Sequence, residues 1–286
     1  MTTENSKLTI SLDSILRVIE IGVQRALCFN KIALSAEYST ESFNNYKNSS
    51  SNVILQMHPA LNDTDLPVNK ELYFRWTALN GLREIVESFY IFVDELEIAL
   101  SIFSAQSNKP LSTKEIEQTR ESVKNQKKSL NERFKALKKQ YNLNIEHDYF
   151  LHFLFLEQMR HCLSHNLGLV TKKYFDRKVN GKDAAQVEWL ELILTTEIEP
   201  SKFKRYNLGK ATSGGIYLSI TKYKKDLPYN QPMQITFSEL EMIAFTTLNI
   251  AKNFSSEADI AIRKMLNNTP TENTKKGTVN ENATSD

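Results

Sequence analysis

The sequence predicts a mainly α-helical fold with a small β insertion before the last helix, on three observations. Glycine (8) and proline (7) are scarce for 286 residues, which disfavours a turn-rich β architecture. Apolar side chains recur at helical spacing in several long segments. Strand-like alternation is confined to the stretch from about 169 to 236. The chain is read as one domain, 1–267, followed by a tail, 268–286, that is almost without apolar residues and is expected to be disordered.

Taken in order, Ser11 to Ala36 carries Leu12, Ile15, Leu16, Ile19, Val23, Ala26 and Leu27 at helical spacing, the first amphipathic helix. Ser39 to Ser51 is rich in Ser and Asn and reads as a loop. Pro59 and Pro67 keep the connection irregular until Asn69, the expected cap of a long helix to about Ala105. Its apolar stripe is Leu72, Trp76, Leu79, Leu82, Val86, Phe89, Val93, Leu96 and Leu100. Ser112-Thr113-Lys114-Glu115 has capping-box spacing and opens a third helix to about Tyr141. From Ser112 to Asn142 nine Lys/Arg face four Glu, so this helix presents either a solvated face or a surface that tracks phosphates. A fourth helix spans about Ile145 to Leu167, with Gly168 ending it. Val179-Asn180-Gly181-Lys182 reads as a hairpin turn, Val187–Leu194 and Ile216–Thr221 as strands, and Gln234-Ile235-Thr236 as a short third strand. Thr236-Phe237-Ser238-Glu239 caps a last helix to about Leu266, with a break near Ser255-Ser256.

Composition bounds the function. The net charge of +2 does not announce a nucleic-acid binder, so any basic surface must be local. Cys28 and Cys162 both read as buried free thiols, which suits a reducing compartment. The most apolar window, Phe89 to Phe103, is interrupted by Asp94, Glu95 and Glu97, so no membrane span is expected. A cytoplasmic protein follows.

One stretch carries chemistry. The run Tyr149–Leu156 is intensely apolar, and its continuation is Glu157-Gln158-Met159-Arg160-His161-Cys162-Leu163-Ser164-His165-Asn166-Leu167-Gly168. An arginine and two histidines thus continue a core helix, where polar groups are costly without a purpose or a partner. His165 could exchange a proton near neutrality, and Arg160 could hold a phosphate with its permanently charged fork. On a straight helix the two lie roughly 140° apart, so they share a face only if the helix bends, or meet in a cleft completed by a second subunit. Glu157, His161 and His165 are better aligned, which raises a metal site as a rival. However, no Glu-x-x-His or His-Glu-x-x-His occurs, and an arginine beside a cation is unfavourable. Gly209-Lys210-Ala211-Thr212 lacks the first glycine of a phosphate loop, since Lys204 stands there. His147 and His152 read as ordinary helix residues.

Arg160-His161-Cys162-Leu163-Ser164-His165-Asn166, with Gly168 beyond it, resembles the HEPN superfamily, helical domains marked by Arg, four to six residues, then His. It fits the variant with Asn or His directly after the arginine, which also occurs in RNA-cleaving CRISPR effectors and prokaryotic toxins. The resemblance covers about Leu72 to Leu266; the first helix and the size of the β excursion are departures. It implies a HEPN-like bundle and a metal-independent endoribonuclease with no cofactor. RNA would be the substrate, and a homodimer would face two Arg/His sets across a cleft. An antitoxin or sensor protein would be a further partner. Arg160 and His165 would be catalytic, with His161, Asn166 and Glu157 supporting: Glu157 fixing the guanidinium, Asn166 and His161 orienting phosphate or imidazole. The competing reading is a non-catalytic module in which the same residues stabilise a bundle or an interface.

Overall fold

The computed structural model describes residues 10–35, 66–106, 111–126, 128–175, 183–195, 205–207 and 217–267. These form six helices and a small antiparallel sheet inserted before the last helix: α1 (Leu12–Ser35), α2 (Leu66–Gln106), α3 (Thr113–Asn125), α4 (Leu130–Tyr141), α5 (His147–Asn166), β1 (Ala184–Thr195), β2 (Arg205–Asn207), β3 (Tyr217–Pro228) and α6 (Phe237–Asn267). The loop expected at 39–51, the hairpin turn at 179–182, Gly209–Thr212 and the tail lie outside the described residues.

The core is centred where α2, α4, α5 and α6 meet. Phe89 and Phe153 stack face to face with centroids 3.6 Å apart, and Phe134 meets Phe254 edge-on at 5.4 Å. Aromatic pairs contribute about 0.5–1.5 kcal/mol each beyond area burial, so one ring from each helix fixes the mutual packing. α1 lies against α2 at very close range. A Cβ on Gly22 would collide with the Ser88 side chain, and one on Gly81 would come within 2.7 Å of Asn30 Nδ2. Asn30, itself buried, donates to Ala26 O at 2.8 Å and across to Thr77 O at 3.3 Å.

In the sheet β3 is central, with β1 and β2 antiparallel on either side. The inward residues Ala185, Val187 and Trp189 of β1 pack against α5 and α6. β1 is therefore an edge strand, and His152 of α5 covers part of that edge: its Nδ1 accepts from Leu190 N–H at 3.0 Å, while Nε2 meets Thr247 Oγ1 at 3.3 Å. His152 is an ordinary structural histidine, as its sequence context implies.

Several expectations need correction. α2 begins at Leu66, so Asn69 lies inside it; Pro67 is tolerated in a first turn, where its missing N–H is no loss. Leu72 and Trp76, assigned to the buried stripe, are exposed; Trp76 instead lines an open groove beside α1. The expected third helix is two helices. Ser129-Leu130-Asn131-Glu132 is a second capping box, reciprocal in both hydrogen bonds, and it restarts the chain as α4. Ser129→Ala is expected to lower stability by about 1 kcal/mol, read from urea unfolding midpoints. The basic charge of this segment is divided: Lys114, Lys135, Lys138 and Lys139 stand on an exposed, solvated face, while the other described cations turn toward α2. Arg120 and Lys124 pair with Glu95, Lys128 with Glu97, and Arg133 with Asp94 and Glu97, all on α2. Residues 234–236 are not a strand; β3 instead runs on to Pro228, since Lys222, Lys224 and Lys225 find carboxylate partners in Asp148, Glu188 and Glu239. α6 passes through Ser255 and Ser256 unbroken. Cys162 is a buried free thiol, but Cys28 is exposed. Among the described residues no helix is long and apolar enough to cross a membrane.

Candidate functional site

α5 carries all five motif residues on its last three turns and ends abruptly. Leu167 (φ 53°) and Gly168 (φ 81°) both turn left-handed, and Gly168 N–H returns to Cys162 O at 3.1 Å. The chain then doubles back. Asn166 Nδ2 donates to Thr171 Oγ1 at 2.9 Å, Val170 exchanges backbone hydrogen bonds with Asn230 and Gln231, and Phe175 is buried. This return lays Tyr174 against the end of the helix it has just left.

The result is a cluster of three near-parallel rings. His161 and His165 lie 5.9 Å apart at 18°; Tyr174 is 5.7 Å from His161 at 19° and 5.9 Å from His165 at 24°. His165 is exposed and His161 half-buried. Burial pulls the His161 imidazole below its ordinary value; Glu157 opposes this, while Arg160 and His165 add to it. A neutral His161 at pH 7 follows, so it can accept a proton.

Arg160 faces the other way, toward α2. Its guanidinium carbon lies 5.6 Å from the Tyr90 ring centroid, and its Nε is 3.7 Å from Glu87 Oε1. That Nε is buried and has no hydrogen-bond partner among the described residues. Glu87 Oε1 instead accepts from Arg83 Nε at 2.8 Å. Glu157 does not fix the guanidinium, as expected of it, but accepts a hydrogen bond from the Tyr90 hydroxyl and lies 3.9 Å from His161 Nε2. Burial first, and then the Glu157 carboxylate, pushes the Tyr90 phenol upward, so it stays protonated and donating.

The described contacts thus place Arg160 with α2 and His165 with Tyr174, and His161 feels the charge of both. Asn166 is occupied in closing the return loop. Glu157, His161 and His165 do not converge as ligands: among the described residues no group of three or more His, Cys, Asp or Glu side chains could hold a metal ion. Sequence reasoning missed Glu87, Tyr90 and Tyr174. The first two flank the apolar stripe of α2 and look like any polar helix flank. Tyr174 follows two lysines and is placed only by the return loop. No family model, no curated protein and no solved structure matches the chain.

Proposed function

We propose that the chain is a metal-independent endoribonuclease of HEPN type, in which Arg160 and His165 act across the interface of a homodimer. The observation that carries the reading is the state of Arg160. A permanently charged fork is held against α2 by Glu87 and the Tyr90 ring, yet its buried Nε has no hydrogen-bond partner among the described residues, and an imidazole pair lies on the same helix end. A guanidinium kept for packing alone would be expected to satisfy its donors. In this chemistry His165 takes the proton of a ribose 2′-hydroxyl or gives one to the leaving 5′-oxygen, and Arg160 stabilises charge on the phosphorane. The separation of the two residues within one chain favours a composite site. Leu167, 97% exposed two residues beyond His165, offers an apolar contact for a second copy. A role as toxin or anti-phage effector, with an antitoxin or sensor partner, rests on the family resemblance alone.

The test is cleavage of single-stranded RNA in excess chelator. Arg160→Ala and His165→Ala are each expected to lower the rate at least about 10²-fold with the melting temperature preserved. Cleavage that survives both substitutions refutes the assignment. The alternative, a non-catalytic HEPN-like dimerisation, RNA-binding or partner-binding module, is favoured by the engagement of Asn166 with Thr171 and of Glu157 with Tyr90. It expects no cleavage by the wild type and a changed oligomeric state in Arg160→Ala.

A further inference from the structure

Resting on the ribonuclease reading, we propose that Arg83 and Arg160 form a phosphodiester clamp on single-stranded RNA, and that Glu87 occupies this clamp as an internal competitor. The geometry is that of one anion shared by two forks. Glu87 Oε1 accepts from Arg83 Nε at 2.8 Å and lies 3.7 Å from Arg160 Nε, beyond hydrogen-bond reach. A single carboxylate oxygen satisfies one arginine and leaves the second short. A phosphodiester presents two non-bridging oxygens and can serve each fork with its own, the arrangement in which charge-assisted hydrogen bonds are strongest.

The surroundings permit the exchange. Arg83 is half-exposed and Glu87 sits at the surface one turn along the same helix, so the carboxylate can swing outward without disturbing the core. The two guanidinia and the one carboxylate sum to a single positive charge, and displacement of Glu87 leaves the phosphate facing both arginines. Arg83 and Glu87 also line a groove of about 510 Å³ between α1 and α2, with Trp76, Tyr73 and Phe29 along it. The clamp therefore opens onto aromatic surface on which an unpaired base could stack. The Tyr90 ring under Arg160 holds that fork in place while the anion changes. Arg83 is accordingly a substrate-binding residue and Glu87 a regulator of affinity.

The experiment measures binding, independently of cleavage, with a 2′-O-methyl oligouridine whose blocked 2′-oxygen cannot attack. Fluorescence anisotropy is followed over a series of salt concentrations. Arg83→Ala is expected to weaken binding about 5–10-fold and to reduce the slope of log affinity against log salt by about one. Glu87→Gln is expected to tighten binding several-fold and to steepen that slope. Unchanged affinity and slope in Arg83→Ala, no tightening in Glu87→Gln, or no binding by the wild type each overturns the clamp. Circular dichroism melts identify any variant that fails to fold, and the half-exposed Arg83→Lys then provides the readout, with an intermediate loss expected. Variants that show these shifts while the wild type leaves cleavable RNA intact uphold the clamp and refute the nuclease; cleavage by the wild type with unshifted binding in the variants does the reverse.

Discussion

Glu97→Ala is expected to remove about 3–5 kcal/mol of folding stability, the cost typical of breaking a buried ion pair from one side. Glu97 is 3% exposed and accepts from Lys128 Nζ at 2.8 Å and Arg133 Nη1 at 2.9 Å. Its loss strands Arg133, itself buried, on Asp94 and the carbonyl of Gln126. Asp94 is a poor substitute: burial pushes its carboxyl up, and Arg133 only partly pulls it back. Urea unfolding measures the effect. Replacing both partners, Glu97→Met with Arg133→Leu, is expected to recover much of the loss, because the two fully buried charges go together and those left behind, Lys128 and Asp94, are each partly exposed to water. A single-variant change below about 1 kcal/mol would show that the network is no more than surface pairing.

The second large effect is acid destabilisation through His152. Burial depresses this imidazole to about 3, against about 6.5 in an unfolded chain. Between those values the unfolded chain holds a proton that the native one refuses, so stability is complete above about pH 6.5 and falls by about 1.4 kcal/mol per pH unit below it. The structural reason is explicit. Nδ1 accepts from Leu190 N–H, and a protonated ring would set two donors against each other in a site without water access. His152→Gln is expected to destabilise at pH 7.5, but by about 2 kcal/mol less at pH 5, since only the wild type carries the proton linkage. An equal difference at both pH values would remove His152 as the origin.

Where local chemistry decides, the sequence was readable. The capping box at Ser112 and that at Thr236 both form, and the alternation of Val187 and Trp189 places both inward. A third box, at Ser129, is written just as plainly, but Lys-rich periodicity continues across it and makes two helices look like one. The length of β3 was hidden for a related reason. Its lysines look like a strand end, and only the partners Asp148, Glu188 and Glu239 on other elements make them tolerable. The same limit governs the site. Arg160, His161 and His165 lie on one short run and could be read together, whereas Glu87 and Tyr90 enter through the packing of α5 on α2. No spacing within a single helix encodes that.

The 41-residue α2 serves two clients at once. Glu87 and Tyr90 receive the motif arginine and its neighbour Glu157; Asp94, Glu95 and Glu97 receive α3 and α4. Only ten residues separate Glu87 from Glu97, about 15 Å along a continuous helix. One added or deleted residue between them would rotate one set against the other by about 100° and shift it by about 1.5 Å. An exposed side chain in this interval, such as Ile91, can drift through substitution, but the interval's length cannot. The helix works as a gauge bar, on which the spacing between the end of the molecule that carries the arginine–histidine motif and its buried ionic anchor is held to a whole number of residues.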